Sequence, residues 1–101
     1  MTLEELRNQV DELDRQIVAL LNERAKVALL IGQAKAASSR EVYAPAREKI
    51  VYDNLRAANH GPLPDAELTH IYERIIDVMR TLQRRELAAQ KIAPVVSEPG
   101  Q

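Results

Sequence analysis

The 101-residue sequence contains no cysteine, tryptophan or phenylalanine, and it has only three glycines. The absence of cysteine excludes disulfide bonds. Few glycines, together with the lack of β-branched runs separated by turn residues, give little support to a sheet. With three tyrosines as its only aromatic residues, the chain must build the core of a single domain from Leu, Ile, Val and Ala. This composition predicts an all-α protein.

The sequence also lacks an excess of charge, since its net charge at pH 7 is -1. A chain without a global positive field is not expected to bind nucleic acid, so any anion must bind locally. No apolar run approaches the roughly 20 residues of a membrane span, and no basic start precedes an apolar segment. We therefore expect a cytoplasmic protein with no membrane partner.

Apolar residues are spaced alternately by three and four positions from Leu3 to Ile31, which is typical of one face of a helix. Thr2 and Glu5 form a candidate capping box, and no proline interrupts the pattern before about Ser38. Such a helix is roughly 50 Å long, whereas a compact monomer of this length has a radius of gyration of about 13 Å. The helix is therefore longer than its own domain, and its exposed apolar face is most simply buried against a second copy of the chain in a two-fold dimer.

Two further helices are predicted. The first has Pro45 in its first turn and runs to about Asn59, before Gly61. The second begins near Asp65 and continues to about Gln90.

The end of the chain has a different composition. From Pro94 onward, Pro, Ser, Gly and Glu show no periodicity. We expect one helical domain over residues 1–90 and a disordered tail over residues 91–101.

Arg24 occupies a position of the apolar face where a leucine is expected. A buried cation without a partner costs several kcal/mol, so a carboxylate or an anionic ligand should meet it. Lys35 follows eleven residues later, close to three helical turns, and the two cations could close on a small dianion. Alternatively, Lys35 is a solvated lysine near a helix C-terminus. Gly32, which has no side chain, leaves room for a ligand or another part of the protein to approach the helix near Lys35.

Four other polar residues have both a functional and a structural interpretation. Arg7 lies about 25 Å from Arg24 along the helix, so it cannot share a site with Arg24 in one chain. In an antiparallel dimer it could complete the partner's site; otherwise it is an exposed arginine paired with Asp11.

Arg47 and Glu48 follow Pro45, and Glu48 could simply be an acidic residue that favours the first turn of a helix. Gln83 lies on or near the apolar face of the third helix, where its amide needs hydrogen-bond partners. Alternatively, it lies at the edge of the core and has no binding role.

Together these segments resemble the all-helical (AroQ) class of chorismate mutases over about residues 3 to 85. The resemblance rests on LR at Leu6 and Arg7, D-x-x-D at Asp11 and Asp14, LLNERA around Arg24, G-x-x-K at Gly32 to Lys35, P-x-R-E at Pro45 to Glu48, and Gln83. It implies three-helix subunits that form an intertwined six-helix homodimer. It also implies the conversion of chorismate to prephenate by an intramolecular Claisen rearrangement, without a cofactor or metal.

The resemblance also implies roles for six residues. The substrate carboxylates would be held by Arg24 and by Arg7 of the other subunit, with Arg47 adding to the positive field. Lys35 and Gln83 would donate to the ether oxygen, where negative charge develops. Glu48 would accept from the ring hydroxyl.

The sequence departs from the family pattern at Ala44, often an aspartate in relatives, and at Met79, where several members have a small polar residue. One alternative is isochorismate pyruvate lyase, which shares the fold and a similar cationic pocket. Another is a non-catalytic helical dimerisation or regulatory module, although such modules usually lose their buried charges. Association with another shikimate-pathway enzyme stays open at this point.

Overall fold

The computed structural model describes residues 1–38 and 42–96, with side chains up to residue 89. The described residues form three helices and no strand, which confirms the all-α prediction. The helices are α1 (Leu3–Ser38), α2 (Pro45–Ala58) and α3 (Asp65–Val96). Both α1 and α2 pack against α3 rather than against each other. The long α3 is therefore the element that brings the other two together.

The predicted bounds of α1 are confirmed. Its 36 residues begin directly after Thr2, whose Oγ1 accepts a hydrogen bond from the backbone N–H of Glu5 at 3.1 Å. The Glu5 carboxylate in turn accepts from the Thr2 hydroxyl at 3.2 Å. The first of these bonds satisfies one of the free N–H groups at the helix start, as a serine or threonine cap does.

The turn between α2 and α3 is organised by the side chain of Asn59. Its amide nitrogen donates to the carbonyl of Leu63 at 2.8 Å and to Asp65 at 2.6 Å, and its amide oxygen accepts from the N–H of Gly61 at 3.1 Å. Gly61 has a φ of 70°, a conformation that glycine adopts at little cost. The predicted stop of α2 is thus correct to within one residue, since the helix ends at Ala58.

The predicted end of α3 at Gln90 is wrong, because the helix continues to Val96. Residues 91–93 include neither glycine nor proline, so nothing in their backbone chemistry ends a helix. Pro94 lies two residues before the helix end and lacks the N–H that would bond to the carbonyl of residue 90, so only the last turn of α3 loses a hydrogen bond. The tail expected over residues 91–101 is therefore helical in its first six residues, and residues 97–101 lie outside the described part. The domain boundary at residue 90 stays a prediction.

The described side chains form a small core and leave much apolar surface uncovered. The buried apolar residues are Ala28, Val42, Ile76 and Met79. In contrast, the large apolar residues of α1 from Leu3 to Leu20 are 42% to 69% exposed. The radius of gyration is 18.2 Å, well above the roughly 13 Å of a compact chain of this length. As predicted, α1 extends beyond the region it packs against.

None of the three helices carries, within the described residues, an apolar stretch that would span a lipid bilayer.

Candidate active site

A cleft of about 610 Å³ lies where the second half of α1, the segment before α2 and the middle of α3 meet. Its apolar wall includes Val27, Ile31, Val51, Ile76 and Met79. Its polar lining consists of four cationic side chains, one carboxylate and one amide: Arg24, Lys35, Arg47, Arg80, Glu48 and Gln83. A concave site with an apolar wall and an excess of cations is suited to a small organic anion.

The structure therefore brings five of the six predicted site residues to one cleft. Arg24 and Lys35 are on the same face of α1, as their eleven-residue spacing predicts. Arg7 is exposed near the start of α1 and does not line the cleft. This placement agrees with the expectation that Arg7 cannot reach Arg24 within one chain.

The ammonium group of Lys35 is held at the junction of all three elements. It donates to the carbonyl of Val42 at 3.0 Å and to Oε1 of Gln83 at 3.2 Å. Partial burial lowers the pKa of Lys35 below the usual lysine value, while the negative charge of Glu48 opposes this shift. Lys35 is thus a fixed, partly desolvated donor rather than a freely solvated lysine.

The contact with Lys35 also fixes the orientation of the Gln83 amide. A lysine ammonium can only donate hydrogen bonds, so the oxygen of the amide must face it. The amide nitrogen of Gln83 consequently points away from Lys35, and no hydrogen bond joins it to another described residue. Two different donors, an ammonium and a neutral amide, therefore lie side by side in the cleft.

Sequence reasoning missed Arg80, which also lines the cleft. Its guanidinium forms an ion pair with the carboxylate of Glu48, and both side chains are only about one-fifth exposed, at 22% and 23%. The guanidinium carbon also lies 5.2 Å from the centre of the Tyr43 ring. The spacing on α3 could have indicated it. Arg80 follows Ile76 by four residues and precedes Gln83 by three, so the three side chains lie on one face of the helix.

Arg24 is less buried than the sequence suggested. It is half-buried, and no charged or polar side chain in the described part of the chain is fully buried. Its guanidinium carbon lies 6.0 Å from the centre of the Tyr72 ring, and no described carboxylate forms an ion pair with it. The prediction of a buried cation is wrong for the single chain, because the described residues leave the adjoining apolar face of α1 exposed.

The remaining predicted positions lie at the cleft as well. Arg47 is exposed at its rim, Ala44 is half-buried and Met79 is buried in its wall. The two departures from the family pattern, Ala44 and Met79, therefore make this part of the lining apolar. Among the described residues, no three His, Cys, Asp or Glu side chains are grouped so that they could hold a metal ion.

Gly32 allows α1 and α3 to approach closely at Gln83. A Cβ atom at Gly32 would lie 3.1 Å from Cβ of Glu86 and 3.2 Å from Cα and O of Gln83. Two of these three atoms belong to the backbone of Gln83, so α3 would have to move. Close helix packing at Gly32 therefore sets the position of the Gln83 side chain in the cleft.

We expect Gly32→Ala to lower the kcat of a reaction carried out in the cleft, because the added methyl group displaces Gln83. Alanine is more favourable than glycine in a helix by about 1 kcal/mol. Overpacking costs about 1–3 kcal/mol, so a small net loss of stability should accompany the loss of activity. Gly61→Ala is the matched control, because its strain at positive φ lies away from the cleft and should lower thermal stability without lowering kcat. A wild-type kcat in Gly32→Ala would contradict this account.

Comparisons with known proteins found a matching family model and similar sequences and structures. A family model described as chorismate mutase type II matches residues 6–84. The chain is 36% identical over 87 residues to a bifunctional chorismate mutase/prephenate dehydratase of Aquifex aeolicus, covering 82% of this chain. The chain spans 24% of the length of that relative.

Two solved structures are also similar. A chorismate mutase from Thermus thermophilus is 31% identical with a TM-score of 0.80, covering 82% of this chain and 94% of that one. A chorismate mutase from Helicobacter pylori in complex with prephenate is 30% identical with a TM-score of 0.78, covering 85% and 93%.

Proposed function

Because the chain belongs to the chorismate mutase type II family, we propose that it converts chorismate to prephenate in the cleft described above. In this reaction the bond between the ring and the ether oxygen breaks while a carbon–carbon bond forms, within one molecule. No nucleophile, proton transfer or second substrate is needed. The site must hold the substrate in a reactive conformation and stabilise the negative charge that develops on the ether oxygen.

The observation that carries the proposal is the pairing of Lys35 with Gln83. The Lys35 ammonium and the Gln83 amide meet in one region of the cleft, since Lys35 Nζ lies 3.2 Å from Gln83 Oε1. An ether oxygen that takes the place of the amide oxygen at the ammonium would accept from Lys35, and from the Gln83 N–H once the amide turns to face it. Donors that are fixed before the reaction stabilise the developing charge more than the ground state, so they lower the barrier.

The substrate carboxylates are proposed to bind to arginines. Arg24 and Arg47 supply two guanidinium groups at the cleft, and Arg7 of a second copy is proposed as another. The uncovered apolar face of α1 supports a homodimer in which the start of one α1 lies beside the middle of the other. In this intertwined six-helix arrangement, each site would use residues of both chains.

Glu48 is proposed to accept a hydrogen bond from the substrate's ring hydroxyl. It is the only carboxylate that lines the described cleft. A carboxylate among cations accepts without bringing net negative charge to the site. The hydroxyl is thereby distinguished from the two carboxylates of the substrate, which fixes the orientation of the ring.

We also propose that the product passes to a second enzyme of the same pathway. The Aquifex aeolicus relative is named for both a mutase and a prephenate dehydratase activity. That pairing supports a functional association, in which this chain supplies prephenate to an enzyme that consumes it.

A direct assay of the purified chain tests the proposed function. We expect chorismate to be consumed, prephenate to appear in equal amount, and no pyruvate to form, with or without a metal chelator. Release of pyruvate would instead indicate a lyase. If neither product forms under conditions where the chain is folded, the proposed function is wrong and a non-catalytic helical module becomes the better explanation.

Replacing Gln83 with glutamate should move activity to acidic pH. Only a protonated carboxyl can donate to the ether oxygen, whereas the wild-type amide donates at every pH. The adjacent Lys35 ammonium favours the ionised carboxylate, so the active form of Gln83→Glu should be populated only well into the acid range. The measurement is kcat/KM against pH for both proteins. An unchanged profile would remove Gln83 from this role.

A further inference from the structure

We propose that Arg80 is a positioning residue for Glu48: it holds the carboxylate in place and cancels its charge, so that Glu48 can accept a hydrogen bond from a dianionic substrate without repelling it. The proposal rests on the function proposed above and names a residue that the sequence pattern did not indicate. Arg80 itself acts through Glu48 rather than on the reacting atoms.

The contacts of Arg80 hold its guanidinium from two sides. Nη2 donates to Oε2 of Glu48, and the guanidinium carbon lies 5.2 Å from the centre of the Tyr43 ring. This distance is within the range of a cation–π interaction. Within residues 1–38 and 42–89, the pair with Glu48 is the only ion pair that joins two helices; the others link residues three or four positions apart. Arg80 therefore fixes α2 relative to α3 at the cleft.

This arrangement leaves one oxygen of Glu48 for a ligand. Arg80 donates to Oε2, and no side chain or backbone group in the described part of the chain donates to Oε1. The ammonium of Lys35 lies close enough for its charge to interact with Glu48 without forming a hydrogen bond to it. Oε1 is thus available to accept a hydrogen bond from a hydroxyl group, which is an uncharged donor of the substrate.

Glu73 and Asp77 line a neighbouring pocket that Arg80 also borders, but among the described carboxylates only Glu48 forms an ion pair with Arg80. Burial raises the pKa of the neighbouring Tyr52 hydroxyl, the charges of Glu73 and Glu48 raise it further, and Arg80 opposes the shift. Tyr52 consequently stays neutral at neutral pH. Arg80 is the one described cation that forms an ion pair with Glu48, so its removal would leave an unpaired carboxylate facing the incoming dianion. At the effective dielectric of a protein site, such repulsion weakens binding by about tenfold or more.

The test is a double-mutant cycle with Arg80→Met and Glu48→Gln, in which kcat, KM and thermal stability are measured for each variant. Methionine keeps much of the side-chain volume and removes the charge. We expect Arg80→Met to raise KM by about tenfold, and Arg80→Lys, which keeps the charge, to retain a KM near that of the wild type. Arg84→Met is the matched control, because Arg84 is exposed one turn further along α3 and lies outside the cleft.

The combination of the two changes separates positioning from simple packing. In the wild-type background Glu48→Gln should lower kcat/KM, because an amide is a weaker acceptor. In the Arg80→Met background the same change should lower KM, because it removes the repelling charge. Additive effects, or a wild-type KM in Arg80→Met, would overturn the proposal while leaving the proposed function intact. Should Arg80→Met fail to fold, Arg80→Gln provides another neutral side chain of similar length for the cycle.

Discussion

Replacing Arg24 with leucine is expected to abolish nearly all catalysis while leaving the protein folded and equally or more stable. Arg24 occupies a leucine position in the apolar spacing of α1, and no described carboxylate pairs with it. Leucine therefore removes no ion pair from the described structure and extends the apolar face. The lost guanidinium is the group proposed to orient a substrate carboxylate, so kcat/KM should fall by about a thousandfold.

The control for Arg24→Leu is Arg15→Leu on the same helix. Arg15 precedes Arg24 by nine residues, about half a turn out of phase, and its side chain is 70% exposed in a pair with Glu12. It should keep kcat/KM close to the wild-type value. Steady-state kinetics and thermal unfolding of the two variants decide the matter. A clear loss of stability in Arg24→Leu, or turnover near that of the wild type, would show that Arg24 is structural.

Replacing Lys35 with methionine should have a comparably large effect, and it should lower kcat more than it raises KM. The variant loses the ammonium that is proposed to stabilise the ether oxygen in the transition state. It also leaves the Val42 carbonyl and the Gln83 amide oxygen without their donor, so Gln83 is no longer oriented. Removal of one fixed donor costs about 10² to 10³ in kcat, and the freed Gln83 should add to that loss.

Two further measurements test whether the loss of activity is due to the ammonium of Lys35. Lys26→Met, nine residues earlier and paired with Glu23 at the surface of α1, should remain active. In the wild type, activity should fall as the pH rises through the pKa of Lys35, and burial places that fall below the usual lysine range. Lys35→Met should lack this alkaline decline in whatever activity remains. A full-rate Lys35→Met variant would exclude the proposed donor role.

The sequence was most informative about the helices, because their signals are local. The apolar spacing of α1, its Thr2 cap and the Gly61 turn each act through neighbouring residues, and the structure confirms the bounds that they predict. The end of α3 was misjudged because Pro94 was taken to lie outside the helix. Proline disfavours a helix beyond its first turn, yet α3 continues through Pro94 for two more residues.

The site was only partly predictable, because its contacts join residues far apart in the chain. The spacing of Arg24 and Lys35 placed them on one face, but no local pattern revealed that Gln83 would contact Lys35. Arg80 was missed because a charged residue on a long helix usually faces solvent. Its partner Glu48 lies 32 residues away.

The central claim is that one catalytic site is completed by two copies of this chain. Arg7→Ala and Arg24→Leu, each inactive alone, should regain activity when they are mixed and allowed to exchange subunits, as followed by mass spectrometry of the intact dimers. Random reassembly gives mixed dimers in which one site has both arginines, so about a quarter of all sites should become active. Recovery of chorismate-to-prephenate turnover at about that level is the predicted result. No recovery despite demonstrated exchange, or full activity of Arg7→Ala alone, would contradict the account.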